Sequence, residues 1–296
     1  MNPARLALAA LPSLLFVAGC APSLVPPSAP VPSAVPVPPA RIVDNADFGL
    51  SGRIEQGSLA FGQLPPGTAT LSLDGKAVAV AADGRFLIGF DRDGKAEAAL
   101  EAVMADGTIW RRRLAVAPHG WQIESLPTLP KGTTPTPEFL ARRKVELEQI
   151  AAARAQTHDI GGWRQRFIWP VTGRISGLFG SQRIYAGEPG SFHSGVDVAR
   201  PTGTPIVAPA DGVVVLAAAA PFSLEGNLLM IDHGMGLNSA FLHLSRIDVA
   251  VGQTVRQGQL LGAIGMTGRA TGPHLHWSLK WRDARVDPAP VAGPMP

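Results

Sequence analysis

Apolar and polar residues alternate between residues 41 and 128, clearly so in Ala69-Thr70-Leu71-Ser72-Leu73 and Phe86-Leu87-Ile88-Gly89-Phe90. That two-residue period belongs to half-buried strands. Turn signals recur at Pro65-Pro66-Gly67, Asp74-Gly75, Asp83-Gly84, Asp93-Gly94 and Asp106-Gly107. Short strands at this interval predict a small antiparallel, β-sandwich-like domain over 41–128. No grouping of His, Asp or Glu there reads as chemistry. His119, beside Gly120 and Trp121, reads as a loop or packing residue.

The period then changes. Thr136 can cap a helix, Pro137 suits its first position and Glu138 complements its dipole. Leu140, Leu147, Ile150 and Ala151 follow helical spacing to about Gln156, so 129–168 reads as a helical connector. From 169 to 290 strands return with more glycine: Ile206-Val207-Ala208, Val213-Val214-Val215, Leu228-Leu229-Met230-Ile231 and Leu260-Leu261-Gly262-Ala263. Residues 291–296 are a tail. The chain is mainly β.

The N-terminus reads as targeting rather than fold. Arg5 precedes the apolar stretch Leu6–Val17, too short to span a bilayer, and Val17-Ala18-Gly19-Cys20 follows. That run resembles a bacterial lipobox, which implies a signal peptide over 1–20 and lipid attachment at Cys20. The competing reading is an ordinary secretory signal in which Cys20 is incidental. Cys20 is the sole cysteine, so neither an internal disulfide nor a cysteine metal site is available. Residues 21–40, rich in Pro, Ser, Ala and Val, read as an extended tether. The address implied is the cell envelope, membrane-anchored, at the periplasmic face of the outer membrane if the host is diderm.

Charge adds little. The net value is +3 over 296 residues, and no basic run interleaved with aromatics points to nucleic acid.

Histidine is where chemistry concentrates. His193 and Asp197 stand four apart across Gly195, a spacing that lets both reach one cation if the backbone bends. His274 and His276 share one face of a predicted strand, roughly 7 Å apart. A packed core does not call for two imidazoles there; surface exposure is the plain alternative. His243, between Leu242 and Leu244, reads alone as a satisfied core residue, and His233 as structural. Two imidazoles and a carboxylate from distant parts of a chain match the open, three-ligand type of zinc site in hydrolases. Magnesium and calcium prefer oxygen cages.

Taken in order, His193-Ser194-Gly195-Val196-Asp197, Phe241-Leu242-His243-Leu244 and His274-Leu275-His276 resemble the motifs of the lysostaphin-type (M23, LytM-like) zinc metallopeptidases, with Phe241 where Tyr is commoner. Gly226-Asn227 through Gly234, and Gly268 through His276, also resemble family segments. The resemblance spans about 169–290 and implies a lysostaphin-like antiparallel β catalytic domain. It makes His193, Asp197 and His276 ligands of one zinc ion, and His243 and His274 the catalytic pair. The implied activity is hydrolysis of peptide cross-links in bacterial peptidoglycan. Asn227 and Arg183 are carried as substrate-binding candidates, Arg183 because its guanidinium can grip a carboxylate. The rival reading is a noncatalytic envelope lipoprotein that binds cell wall or activates an amidase; a third is a zinc hydrolase acting on a non-wall peptide.

Overall fold

A computed structural model describes residues 41–130 and 135–296; Cys20 and the tether at 21–40 lie outside the described residues. The chain is mostly strand, as the pattern predicts. Strands Ile42–Asp44, Ile109–Ala115, Glu97–Met104, Thr68–Leu73 and Lys76–Ala77 form one five-stranded sheet in that order. Ser51–Gly52, Leu59–Gln63 and Arg85–Gly89 form a second, three-stranded sheet. Pairing is antiparallel except for Ile42–Asp44, which runs parallel to Ile109–Ala115. The alternation at 86–90 does not become one wet and one dry face: Phe86, Leu87 and Ile88 are all buried. That strand is covered on both sides, and Trp281 from the far end of the chain sits against Gly89, where even a methyl group would be only 3.1 Å away. Phe48, Phe86, Leu100 and Leu114 thus share one hydrophobic core with Trp277 and Trp281. The described residues pack as one unit.

The helix Pro137–Ala155 starts where capping chemistry places it, with the Phe139 N–H donating to Thr136 Oγ1 at 3.2 Å. Its buried face differs from the apolar spacing. Leu140 and Leu147 are 55% and 49% exposed, whereas Glu146, Ile150 and Ala153 turn inward. Glu146 takes a core position because four donors from Arg142, Arg143 and Ser223 converge on its carboxylate.

The sheet that organises the C-terminal part runs in the order Arg174–Gly177, Val196–Ala199, His274–Trp281, Leu237–Leu244, Asn227–Asp232, Gly212–Ala217, Thr254–Val255. Every pairing within it is antiparallel. Asp197 lies directly opposite His276, and Ala199 opposite His274. Leu242 faces His276 from the other side. The segment Leu178 to Phe192 contains the hairpin Gln182–Tyr185 and Glu188–Pro189. Ile123–Leu126 joins that hairpin as a parallel strand.

Candidate metal centre

Directly opposite residues of an antiparallel pair point to the same face. Register therefore brings Asp197 beside His276, and the short run from His193 delivers a second imidazole. Asp197 Oδ1 is 2.9 Å from His276 Nδ1 and 3.0 Å from His193 Nε2, and the two ring nitrogens are 3.0 Å apart. Two glycines make this convergence possible. A Cβ on residue 177 would lie 2.5 Å from Asp197 Oδ2 and 3.0 Å from His193 Cε1. One on residue 195 would lie 2.7 Å from His276 Nε2.

Hydrogen bonds fix the tautomers. His193 Nδ1–H donates to the Leu178 carbonyl at 2.9 Å, which leaves the Nε2 lone pair facing the cluster. His274 Nδ1–H donates to Gly272 and His243 Nδ1–H to Thr267, each at 2.8 Å. A carboxylate and two imidazole lone pairs within about 3 Å of one another repel unless a proton or cation lies among them. Their separations fall slightly inside the edge of about 3.3 Å expected for a tetrahedron with arms of about 2 Å. The donor set fits one small cation of the borderline kind. Among the described residues, these three are the grouping of His, Cys, Asp and Glu able to hold a metal.

Electrostatics point the same way. Burial opposes ionisation of Asp197, but the adjacent imidazoles of His193 and His276 outweigh it and hold the carboxyl far below its ordinary range. Burial likewise works against a charged His193, yet the adjacent carboxylate keeps its pKa above the ordinary value. His276, enclosed more deeply, is pushed down by burial. His243 is lowered to about 4, burial being the largest cause, and is neutral at pH 7.

His243 and His274 stand together, ring centroids 4.9 Å apart, and His274 Nε2 is 3.7 Å from Asp197 Oδ1. The reading of His243 as a core residue misses its backbone. Its φ of 65° breaks the strand alternation and brings the imidazole to the groove. Phe241 is wholly buried against the core. The other two candidates are placed differently. Arg183 lines the wall beside His193, but its guanidinium is paired with Glu124 at 2.7 Å. Asn227 does not line the groove over the cluster; its amide donates to the Leu244 carbonyl at 2.8 Å, clamping the strand end behind His243.

A groove of about 560 Å³ runs over the cluster, bounded by His193, His243, His274 and His276 on the sheet side and by Arg143, Leu147, Ile150 and Arg154 of the helix. Sequence reasoning left the helix out of the site, since only tertiary packing brings it there. Beneath the sheet, Trp277 Nε1–H donates to Ser239 Oγ, which lies 2.8 Å from His233 Nε2, while His233 Nδ1–H donates to Asp211 O. His233 thus supports the strand carrying His274 and His276, in keeping with the structural reading.

Comparison with known proteins agrees with this geometry. Residues 191–288 match the model of peptidase family M23. The peptidoglycan DD-endopeptidase ShyA of Vibrio cholerae is 40% identical over 132 residues, 44% of this chain and 30% of that protein. The DD-carboxypeptidase/endopeptidase Mpg of Neisseria meningitidis is 40% identical over 123 residues, 42% of this chain and 28% of that protein. The chain thus spans less than a third of the length of these curated relatives. A solved structure from Pseudomonas aeruginosa, described as a putative peptidase M23, is matched much further. It is 33% identical, with 81% of this chain and 94% of that one covered, at a TM-score of 0.63. A shared fold along nearly the whole of that relative, together with a His-Asp-His cluster inside the matched segment, places this chain in peptidase family M23.

Proposed function

We propose that the chain is a zinc-dependent endopeptidase that hydrolyses peptide cross-links of bacterial peptidoglycan, held at the envelope through a lipid on Cys20. The observation that carries this reading is the meeting of His193, Asp197 and His276 at 2.9–3.0 Å beside a second pair of histidines. The relatives named for peptidoglycan endopeptidase activity support the substrate class. Zinc in an open three-ligand site brings the pKa of water to about 7 and polarises a carbonyl.

The chain's own residues supply the rest. His193, Asp197 and His276 would hold the ion. Leu178 O fixes the His193 ring so that Nε2 faces inward. Gly272 O and Thr267 O orient His274 and His243 in the same sense, leaving each Nε2 as an acceptor for the proton of attacking water. Burial favours this for His243 by keeping it neutral. A histidine that has taken the proton becomes a donor at the same nitrogen, placed to serve the oxyanion or the leaving amine. With Phe241 buried in the core, its position adds no hydroxyl, and these tasks rest on the histidine pair.

The test is digestion of purified sacculi and cross-linked muropeptides with separation of the products. The protein is expected to release cleaved cross-links and to carry one zinc. His276→Ala removes both zinc and activity, whereas His274→Ala removes activity and keeps zinc. Stoichiometric zinc with intact muropeptides refutes the reading and favours a noncatalytic wall-binding role.

A further inference from the structure

The strand His274–Trp281 presents His274, His276, Ser278 and Lys280 to one face, by the two-residue alternation. Lys280 therefore lies roughly 13 Å beyond His276 along the same groove floor. Arg154 of the helix lines the groove with it. Both residues also line an adjoining cavity of about 800 Å³, which they share with Asn238. Asn238 stands directly opposite Lys280 in the sheet.

The polar groups here lack partners. Arg154 and Lys280 make no hydrogen bond or ion pair among the described residues, and Arg154 Nε is buried and unpaired. Asn238 is 5% exposed, and its Oδ1 is also buried without a partner. Residues 1–40 and 131–134 contain no Asp or Glu, so no acid from those segments can pair with the two cations. Among the neighbouring charges, Asp159 lines the same cavity but pairs with neither cation, and the others are turned to different partners. Arg143 and Glu225 form a bidentate pair, Arg285 binds Asp91, and Asp283 lies 3.9 Å from Lys76. Burial, reinforced by repulsion from Arg154, lowers the pKa of Lys280. Two half-buried cations and an unsatisfied amide are costly together unless something anionic completes them.

We propose that Arg154 and Lys280 form a subsite for a free carboxylate of the substrate peptide, about four extended residues from the metal cluster. This rests on the peptidase reading and specifies its substrate as a peptide carrying an anionic end. Arg154 gives two donors in a fixed fork and Lys280 a point charge, a combination suited to a carboxylate. An uncharged peptide end leaves both cations unpaired.

The probe is a cross-linked stem-peptide dimer with free carboxylates, compared with the same dimer fully amidated. Binding is followed by fluorescence anisotropy in the His274→Ala background, and KM is measured in the parent chain. The free dimer is expected to bind roughly tenfold more tightly or better. Lys280→Met and Arg154→Met should each remove most of that preference without altering affinity for the amidated dimer, and Lys280→Arg should restore it. Zinc content and melting temperature serve as controls for folding. Equal binding of the two dimers, no binding of either, or a preference surviving in the double variant overturns the subsite. Digestion of sacculi reports separately: cleavage without carboxylate preference retires the subsite alone, and preference without cleavage retires the peptidase reading alone.

Discussion

Gly177→Ala separates the metal centre from the fold. Residue 177 does not occupy the left-handed region, so the backbone there accepts alanine. What the added methyl meets is the site itself, with Asp197 Oδ2 at 2.5 Å, Asp197 Cγ at 3.0 Å and His193 Cε1 at 3.0 Å. The nearest atom is the far end of a side chain, and Asp197 can rotate away at small cost to packing. In doing so it leaves the point where it meets His193 and His276. Overpacking of this kind costs about 1–3 kcal/mol. Because the strain is relieved only when the carboxylate abandons the ion, it should appear as a loss of zinc affinity of roughly 5- to 150-fold. Competition with a chelating dye measures that affinity, and a thermal melt in excess chelator measures the metal-free fold. Weakened zinc binding with an unchanged chelator melt is the expected result. A Gly177→Ala protein that binds zinc like its parent refutes the ligand assignment of Asp197.

Gly195→Ala should behave differently, because its Cβ would lie 2.4 Å from the Trp277 carbonyl, a backbone atom unable to yield; its chelator melt should fall by roughly 2–10 °C, and an unchanged melt contradicts the packing argument. His233 has a folded pKa lowered to about 4 by burial, against an ordinary value of 6.5. The unfolded chain takes up the proton first, so stability is fully present above about pH 6.5 and falls as pH drops toward 4, by up to roughly 3 kcal/mol. Melting temperatures from pH 7 to 4.5 should show this fall, and His233→Gln should make it shallower, the lowered His243 still contributing; an equal slope in both proteins rules out His233 as a cause.

Much of this site is legible in residue order, and the parts that are not have physical reasons. The His274 and His276 pair is visible because a strand alternates faces, and the helix start because Thr136-Pro137-Glu138 is a local capping signal. His193 and Asp197 are visible as a spacing, but their meeting with His276 depends on register between strands nearly eighty residues apart. His243 is disguised by its apolar neighbours, and only a positive φ at the strand end turns it to the groove. The parallel pairing of Ile123–Leu126 with Gln182–Tyr185 has no local signature, since it joins a segment ahead of the helix to a hairpin well beyond it. Glu146 inverts the ordinary rule by occupying a core position, which hydropathy cannot foresee.

Glu146 also joins the helix to the chemistry. Its carboxylate accepts from Ser223 N at 2.6 Å, Ser223 Oγ at 2.7 Å, Arg142 Nε at 3.0 Å and Arg143 Nη1 at 3.1 Å. Arg143 in turn grips Glu225 through two bonds of 2.6 and 2.7 Å, and the Glu225 carbonyl accepts the backbone N–H of His243 at 2.8 Å. The helix, the turn at 223–225 and the left-handed residue that aims His243 therefore form one connected unit. Glu146→Ala leaves the Ser223 N–H and part of two guanidinium groups without an acceptor, a local cost of about 3–5 kcal/mol. Glu146→Gln retains one acceptor oxygen and should cost less, about 1–2 kcal/mol. The expected signature in Glu146→Ala is faster amide exchange across the helix, full zinc content and a fall of tenfold or more in kcat, since a small displacement of a proton-transfer group is costly. Exchange that loosens while kcat holds would show that the helix only covers the groove and does not position His243.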